Sequence, residues 1–559
     1  MAGRAVAALE ELARLRGEFG SQAAARKNAL LSSLGSTSLP NAEQVLTFHE
    51  ILCFLRAYPD DAALLAKVEG ILGNFDQRRD LQRHRRTLES TGIAGTETCF
   101  RFFAPTALWL SHRWPANLKL DWPECANAGS LEAWLPLLAS YGETPAIDEF
   151  GFEVEEWIER LKGPEETDAR FLLRRMEQIP MDPALREMLL DQLDLAYTLT
   201  PGPDTPARGR ESCAAGPIAY QTAALKRERP RLPAALEAPP RKIRRLSPAE
   251  GKKILELARS AMVVRSRDLD AFSYGDARDV RLVEMGEGFS IALIGMLAAH
   301  RLMLETQYGF LTLKNGVPIG YGTITTLFRS SEVAFTIFDT FRSAEAASIF
   351  TGALQLAHHL FGADTFMIDP YQIGRDNEDA VQSGAWWFYR KLGFAPRDRD
   401  ARRLMREEEQ RMKADPSHRS SPATLRTLAE VPVFFSKASA RDDVLGVLPL
   451  PQIGLRISAS IARRFGHDRR RAGRICAAEA RRLLGVRRRP SPAQRMAWER
   501  WGPLVLILPG IRRWSPGNRR TLATVIDSKA GPRESDYLAR FDAHLPLRRA
   551  LVRLALQDG

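Results

Sequence analysis

"SGAWWFYRKLGF", residues 383–394, places four aromatic side chains on one short predicted helix. A helix that packs against a sheet would readily bury Trp386, Trp387 and Phe388, because burial of aromatic surface stabilises a fold. Tyr389 differs from these three, since a buried phenol needs a polar partner for its hydroxyl group. The stretch therefore allows two interpretations. Tyr389 is either a phenol at the rim of a core helix, or its hydroxyl group takes part in a reaction.

The residues upstream of this helix predict a mixed α/β domain over residues 247–400. The domain begins with a helix whose start, Ser247-Pro248-Ala249-Glu250, combines a capping box with proline at the first helical position. Asn315-Gly316 joins two apolar runs and predicts a β-hairpin. The predicted elements are strands at 308–314, 317–328, 332–338 and 364–370, and a helix at 342–362 that ends at Gly362.

The flanking regions have different patterns. Residues 1–200 carry apolar side chains at three-four spacing, with Asn41, Asp60 and Asp61 at predicted helix starts, which indicates a helical N-terminal domain. Residues 201–246 are rich in proline, glycine and charge, which predicts a disordered linker. Residues 401–559 are expected to be helical and basic. The predicted class is α/β, with a central mixed sheet flanked by helices and helical regions at both ends.

The positive charge is concentrated in one segment. The net charge is +12, while residues 463–520 contain 17 arginines against Asp468, Glu479 and Glu499. Arginine binds phosphate through two hydrogen bonds, and the tryptophans of this segment are candidates for base stacking. They are Trp498, Trp501 and Trp514. Two alternatives remain, a solvated helical face and a surface for an acidic protein region such as Glu143–Glu166.

Several classes of protein are disfavoured by the sequence. The five cysteines are scattered without a C-x-x-C pair, which argues against a disulfide framework and against a zinc site. No apolar run approaches the roughly 20 residues of a membrane span. The first 19 residues resemble an amphipathic helix rather than a signal peptide, because acids interrupt their apolar stripe. We therefore expect a cytoplasmic protein without a membrane partner.

The central domain resembles the GNAT acyltransferase superfamily over about residues 300–398. The hairpin "NGVPIGYG" (315–322) occupies the place of the family's glycine-containing strands, and "FTIFDTF" (335–341) runs into Arg342 as the family's central strand runs into its pyrophosphate loop. The stretch "QSGAWWFYRKLGF" matches the family's N-x-x-A-x-x-x-Y-x-x-x-G-F helix. The matching residues are Gln382, at the asparagine position, Ala385, Tyr389, Gly393 and Phe394.

The resemblance implies an acyl-coenzyme A, such as acetyl-coenzyme A, between the strands at 333–338 and 365–370. Its pyrophosphate would rest on backbone N–H groups at a helix N-terminus. Tyr389 would protonate the leaving thiolate. For the general base, Glu332 and Asp339 are preferred over His358, His359 and Asp369. The cofactor-binding residues implied are Phe338, Arg342, Ser343, Ala344, Glu345, Ala346, Ala347 and Gln382.

Two functions follow from this resemblance. The first is transfer of an acyl group from acyl-coenzyme A to an amine whose identity the sequence does not specify. The second starts from Glu345, which stands where the family's loop has its first glycine. A carboxylate beside a pyrophosphate would repel it. The alternative is therefore a non-catalytic binding or scaffold module that has lost coenzyme A binding.

Overall fold

The computed structural model describes residues 2–125, 127–214, 216–225, 229–342 and 345–557. Helices account for 54% of the residues, beside one large mixed sheet and one small sheet, so the predicted mixed α/β class is confirmed. The chain divides into two compact units. The first comprises residues 1–225, 253–274 and 313–319, and the second comprises 226–252, 275–312 and 320–559. In the parts of the chain that the structure describes, no helix has both the length and the apolarity of a membrane span.

The first unit is mainly helical. Its twelve leading helices are α1 (Ala2–Leu15), α2 (Ser21–Ser36), α3 (Ala42–Ala57), α4 (Ala62–Gly73), α5 (Arg79–His84), α6 (Ala104–Arg113), α7 (Ala128–Glu132), α8 (Leu135–Leu138), α9 (Thr144–Glu149), α10 (Val154–Leu161), α11 (Asp168–Gln178) and α12 (Pro183–Gln192). The strands β1 (Thr98–Phe100), β2 (Leu118–Leu120) and β3 (Tyr197–Leu199) form a small sheet in the order β1-β3-β2.

Two of the three predicted helix caps in this unit are present. The side chain of Asn41 accepts a hydrogen bond from the Gln44 N–H, and that of Asp61 accepts one from the Leu64 N–H. Asp60 has a different role, because it forms a buried ion pair of 2.9 Å with Lys27. These contacts fix α2 against the start of α4.

From residue 232 onward the described chain contains the large sheet and the helices around it, and it ends in six consecutive helices. The helices are α13 (Leu232–Glu237), α14 (Pro248–Val263), α15 (Asp270–Ser273), α16 (Ala346–Phe361), α17 (Pro370–Ile373), α18 (Glu378–Gln382), α19 (Ala385–Lys391), α20 (Arg399–Ala414), α21 (Pro422–Leu428), α22 (Leu450–Phe465), α23 (Arg469–Leu483), α24 (Pro492–Ile507), α25 (Pro516–Lys529), α26 (Glu534–Ala543) and α27 (Leu545–Leu556). The strands are β4 (Lys242–Arg245), β5 (Gly275–Gly286), β6 (Phe289–Met296), β7 (Thr306–Lys314), β8 (Val317–Leu327), β9 (Ser330–Ile337), β10 (Thr365–Ile368), β11 (Ala395–Pro396) and β12 (Val433–Ser436).

The segment predicted as a disordered linker differs from that prediction in its described residues. Leu232 and Leu236 of α13 are buried in the core of the second unit, and β4 pairs antiparallel with β5. Residues 201–246 are rich in proline and charge, but they also carry two leucines at helical spacing. Burial of these leucines offsets the entropy of ordering the chain.

The large sheet extends beyond the predicted limits of 247 and 400. Its strand order is β11-β12-β10-β9-β8-β7-β6-β5-β4. β12 lies within the region that was expected to be only helical, and it pairs antiparallel with β10. This pairing satisfies the backbone of β10, which would otherwise be an open edge. The short run at 433–436 carried too little pattern to be separated from the helices around it.

The two faces of the sheet carry separate cores. In β10, Phe366 and Ile368 belong to a core with α16 and α19, whereas Met367 belongs to a core with the C-terminal helices. This division follows from the alternation of side chains along a strand. The sheet is therefore covered by helices on both sides.

The predicted hairpin is present between β7 and β8. Asn315 and Gly316 have φ angles of +50° and +78°, the left-handed pair that a tight two-residue turn requires. Gly322 on β8 lies so close to β9 that a Cβ atom there would approach the carbonyl oxygen of Ala334 to 2.1 Å. The glycines of the "NGVPIGYG" stretch thus serve the turn and the close approach of two strands.

Candidate active site

The strands β9 and β10 run parallel and stay paired only at their starts. Their register joins Ser330 to Thr365, Ser331 to Phe366 and Glu332 to Met367. β10 ends at Ile368, whereas β9 continues to Ile337. Within the described residues, no strand pairs with this side of β9 beyond Glu332. Residues 333–337 of β9 therefore have one edge without a paired strand in the described chain, and an extended ligand can form hydrogen bonds there.

The side chain of Gln372 occupies part of this edge. The backbone N–H of Phe335 donates to Oε1 of Gln372, with an N to O distance of 3.4 Å. Gln372 lies on α17, which begins directly after β10. The distance is at the long end for an N–H···O bond, so a ligand carbonyl group can compete with this amide.

The helix that carries Tyr389 is shorter than the matched stretch. Gly384, with a φ of +66°, separates α18 from α19, and Gly393, with a φ of +104°, follows the end of α19. Both angles lie in the left-handed region that glycine adopts without strain. The two glycines therefore delimit a helix of two turns that carries Trp386 and Tyr389 into the core.

Tyr389 lies among aromatic rings and is only 4% exposed. Its ring centroid is 5.2 Å from that of Phe350 on α16 and 6.0 Å from that of Phe394. Phe350 in turn contacts Phe335 on β9, at 5.6 Å between centroids. Burial raises the pKa of Tyr389 above that of an ordinary phenol, so the hydroxyl group keeps its proton at neutral pH. The tyrosine is thus a neutral hydroxyl donor packed on the ring layer beside β9.

Glu332 stands at the point where β9 and β10 separate. Burial, followed by the negative charges of Asp369 and Glu305, raises the pKa of this carboxyl group to about 7. An acid with a pKa near neutrality changes between proton acceptor and proton donor under ordinary conditions. Of the acids proposed from the sequence, Glu332 therefore has the property that a general base needs.

Glu332 and Tyr389 lie on opposite faces of the sheet. Glu332 pairs with Met367 in register, and Met367 belongs to the core of the C-terminal helices. Tyr389 belongs to the core that contains α16. The structure does not bring the two side chains into contact. It places them on the two sides of the gap between β9 and β10.

The loop between β9 and α16 is described in part. Phe338 is buried, with its ring 5.7 Å from that of Tyr321. Glu345 directly precedes α16, whose first two residues are Ala346 and Ala347. Ser343 and Ala344 lie outside the described residues. The described residues Glu345, Ala346 and Ala347 thus lie at the N-terminus of a 16-residue helix, where backbone N–H groups and the helix dipole favour an anion.

Two other proposed residues are solvent-exposed. The carboxylate of Asp339 forms an ion pair of 2.7 Å with Arg342, and its side chain is 71% exposed. An exposed, ion-paired carboxylate does not have the position of a buried general base. Gln382 is exposed at the end of α18. The structure therefore favours Glu332 over Asp339 among the two preferred bases.

The two histidines on α16 serve its C-terminal end. Nδ1 of His358 lies 2.6 Å from the carbonyl oxygen of Ala363, and Nε2 of His359 lies 3.0 Å from that of Ala238. Both contacts tie the end of the helix to neighbouring backbone. These residues are three turns or more from the N-terminus of α16 at which an anion would bind.

The tryptophans of the arginine-rich segment do not form a stacking surface. Trp498 and Trp501 are each 1% exposed within the core of the C-terminal helices, and Trp514 packs against that core. The indole N–H of Trp498 donates to Asp527 at 2.9 Å. The suggestion that these rings stack on bases is therefore wrong for Trp498 and Trp501. Both are core residues at helical spacing.

Gln372 was missed by the sequence reasoning. It follows a short buried strand by four residues and belongs to no motif, so no pattern in the sequence points to its contact with Phe335. Glu305 was missed for the same reason. Its influence on Glu332 depends on the pairing of strands that are distant in the chain.

In the described parts of the chain, no three histidine, cysteine, aspartate or glutamate side chains are grouped as metal ligands. No family model matches the sequence, and no curated protein or solved structure is significantly similar to it. The assignment of a function therefore depends on the residues around β9 and β10.

Proposed function

We propose that the second unit transfers an acyl group from an acyl-coenzyme A to an amine at the gap between β9 and β10. The observation that carries this proposal is the early separation of the two parallel strands, with Glu332 at the separation point. A pantetheine chain with its two amide groups is the kind of extended ligand that an open strand edge can bind. The N-terminus of α16 follows β9 closely and suits a pyrophosphate.

The reaction needs two proton transfers, for which the site holds two groups. A neutral amine attacks the thioester carbonyl carbon, a C–N bond forms, and the ammonium proton passes to the Glu332 carboxylate. The tetrahedral intermediate then collapses, the C–S bond breaks, and the Tyr389 hydroxyl group donates a proton to the leaving sulfur. Backbone N–H groups of β9, such as that of Phe335, stabilise the oxyanion. The opposite faces on which Glu332 and Tyr389 lie suit an amine and a thiol on opposite sides of the reacting carbon.

A second function is favoured by one observation. Glu345 directly precedes α16, at the end where a pyrophosphate would bind. A carboxylate there repels phosphate, which supports a module that has kept the fold of an acyltransferase and lost its coenzyme A. Both functions use the same surface, so they are separated by ligand binding and by turnover.

An acyl-transfer assay tests the first function. The full-length chain is incubated with acetyl-coenzyme A and a panel of polyamines, amino acids, aminoglycosides and lysine peptides, and release of the free thiol is followed. We expect release that depends on at least one amine and falls as the pH is lowered below about 7, because Glu332 becomes protonated.

The variant Glu345→Gly separates the two functions. If coenzyme A binding has been lost through Glu345, the variant binds acetyl-coenzyme A more tightly than the natural chain. If the natural chain binds and turns over, the scaffold function is excluded. Absence of both binding and thiol release in the natural chain contradicts acyl transfer.

A further inference from the structure

Five of the six arginines of α23 lie on one side of the helix. Ala472, Cys476, Ala477 and Ala480 form its buried side. At 100° per residue, Arg470, Arg471, Arg474, Arg481 and Arg482 fall on the opposite side. Of these, all but the half-buried Arg481 are exposed. From residue 470 to residue 482 this row extends about 18 Å, at 1.5 Å per residue.

The loop after α23 continues the same surface. Arg481 donates to the backbone carbonyl oxygen of Arg488, which fixes the loop beside the end of α23. Arg487, Arg488 and Arg489 are all exposed. We call the five arginines on this side of α23 and these three loop residues the arginine face.

The charge of the arginine face is poorly neutralised within its own segment. Arg488 lies 3.4 Å from Asp527, and Glu479 pairs with Arg464, away from the row. Three acids among 17 arginines leave a surplus of +14 over residues 463–520. Arg469, Arg470 and Arg471 also lie in the first turn of α23, where positive charge opposes the helix dipole. Such an arrangement destabilises the isolated chain and is relieved by an anionic partner.

The composition of the surface discriminates among anionic partners. The centres of protein interfaces are enriched in tryptophan and tyrosine as well as arginine. Among the described residues of 463–520, no large apolar side chain is exposed. Single-stranded nucleic acid is bound by stacking on aromatic rings, and Trp498 and Trp501 are buried. A duplex needs neither, since its backbone offers about one phosphate charge per 1.7 Å of axis.

We propose that the arginine face binds the phosphate backbone of double-stranded nucleic acid without reading its sequence. Arginine contacts phosphate through paired hydrogen bonds, and an 18 Å row spans a length of duplex that carries about ten phosphate charges on its two strands. This binding is independent of acyl transfer, because it uses other residues of the second unit.

The test measures binding of the full-length chain to a fluorescent 20-base-pair duplex by anisotropy, over a series of salt concentrations. The first variant combines Arg470→Gln, Arg471→Gln, Arg474→Gln and Arg482→Gln. The matched control combines Arg399→Gln, Arg403→Gln, Arg406→Gln and Lys413→Gln, which removes the same charge from exposed positions of α20. Circular dichroism confirms that both variants are folded.

We expect the natural chain and the α20 control to bind the duplex with affinities within threefold of each other. The α23 variant should bind at least tenfold more weakly. Its slope of log affinity against log salt should be reduced by up to about 3.6, since each lost phosphate contact contributes about 0.9. Unrelated duplex sequences should bind equally well.

Four results would overturn the proposal. They are no binding of the natural chain at 50 mM salt, equal losses in both variants, equal affinity for polyglutamate, and binding to phosphatidylserine vesicles without binding to the duplex. Equal losses would show that only net charge matters. The last two would assign the surface to an acidic protein or to an anionic lipid.

Discussion

In the proposed reaction Tyr389 donates one proton and Glu332 accepts another, and the two side chains have different surroundings. The phenol is enclosed by Phe350 and Phe394, and burial raises its pKa, so the hydroxyl group is protonated before the reaction begins. In the proposed reaction it donates this proton to the sulfur as the C–S bond breaks. The carboxyl group of Glu332 is less deeply buried, and its pKa of about 7 allows exchange with solvent.

We expect Tyr389→Phe to lower the rate of acyl transfer by roughly two to four orders of magnitude, because general acid assistance has that size. The fold and the affinity for acetyl-coenzyme A should change little, because only one hydroxyl group is removed. Single-turnover kinetics on the full-length chain measures the rate. Tyr371→Phe is the matched control, since Tyr371 lies on nearby α17 with 53% exposure, and it should keep the natural rate. Equal rates for the natural chain and both variants would show that Tyr389 is only a core residue.

Glu332→Gln should flatten the pH dependence of stability between about pH 4.5 and 7. The pKa of Glu332 rises from its ordinary 4.5 to about 7 on folding. Its stabilising contribution is therefore complete below pH 4.5 and is lost as the pH rises through 7. The shift corresponds to about 3 kcal/mol as an upper limit, because the side chain is partly solvated.

Urea unfolding of the two proteins at pH 5 and pH 8 measures this effect. As the pH rises from 5 to 8, we expect the natural chain to lose stability relative to the glutamine variant. The variant should lack acyl transfer at both pH values. If the two proteins differ in free energy of unfolding by the same amount at pH 5 and at pH 8, Glu332 titrates in its ordinary range.

At the scale of single elements, close contacts between strands explain glycines that a motif alone cannot explain. Gly322 must lack a side chain because β9 passes it closely. We expect Gly322→Ala to destabilise the second unit by about 1–3 kcal/mol, the usual cost of overpacking. Gly454→Ala, in the middle of α22 with open space around it, should instead stabilise by about 0.5–1 kcal/mol. Thermal unfolding of both variants measures the difference, and a neutral effect of Gly322→Ala would contradict the strand spacing.

The ordering of α13 and β4 also has a direct test. Leu236 is fully buried, so Leu236→Ala should cost about 2–5 kcal/mol. It should also open residues 229–246 to limited proteolysis. Ile243→Ala, on β4 with 43% exposure, should have a small effect on both measurements. Rapid cleavage of the natural chain between residues 232 and 245 would restore the prediction of a disordered linker.

At the scale of the whole molecule, local patterns in the sequence predicted local structure well. The Asn315-Gly316 turn, the capping box at Ser247 and the end of α16 at Gly362 are present because each depends on neighbouring residues. The pairing of β12 with β10 and the burial of Leu236 depend on residues far apart in the chain. Those features were not visible in the sequence.

The candidate site divides in the same way. Tyr389 was identified from the spacing of a local motif, and Glu332 from its place at the start of a strand. The contact of Gln372 with Phe335 and the effect of Glu305 on Glu332 arise only from strand pairing. The choice of Glu332 over Asp339 rests on burial, which the sequence of a strand end does not specify.

Equilibrium titration of the full-length chain with acetyl-coenzyme A tests the central claim most directly, because it needs no knowledge of the amine. We predict saturable one-to-one binding with a Kd in the micromolar range, about −8 kcal/mol. Free coenzyme A should compete, and binding should slow hydrogen exchange at the backbone amides of residues 333–337. Absence of saturation at millimolar ligand, or binding that leaves the exchange of these amides unchanged, would contradict an acyl-coenzyme A site between β9 and β10.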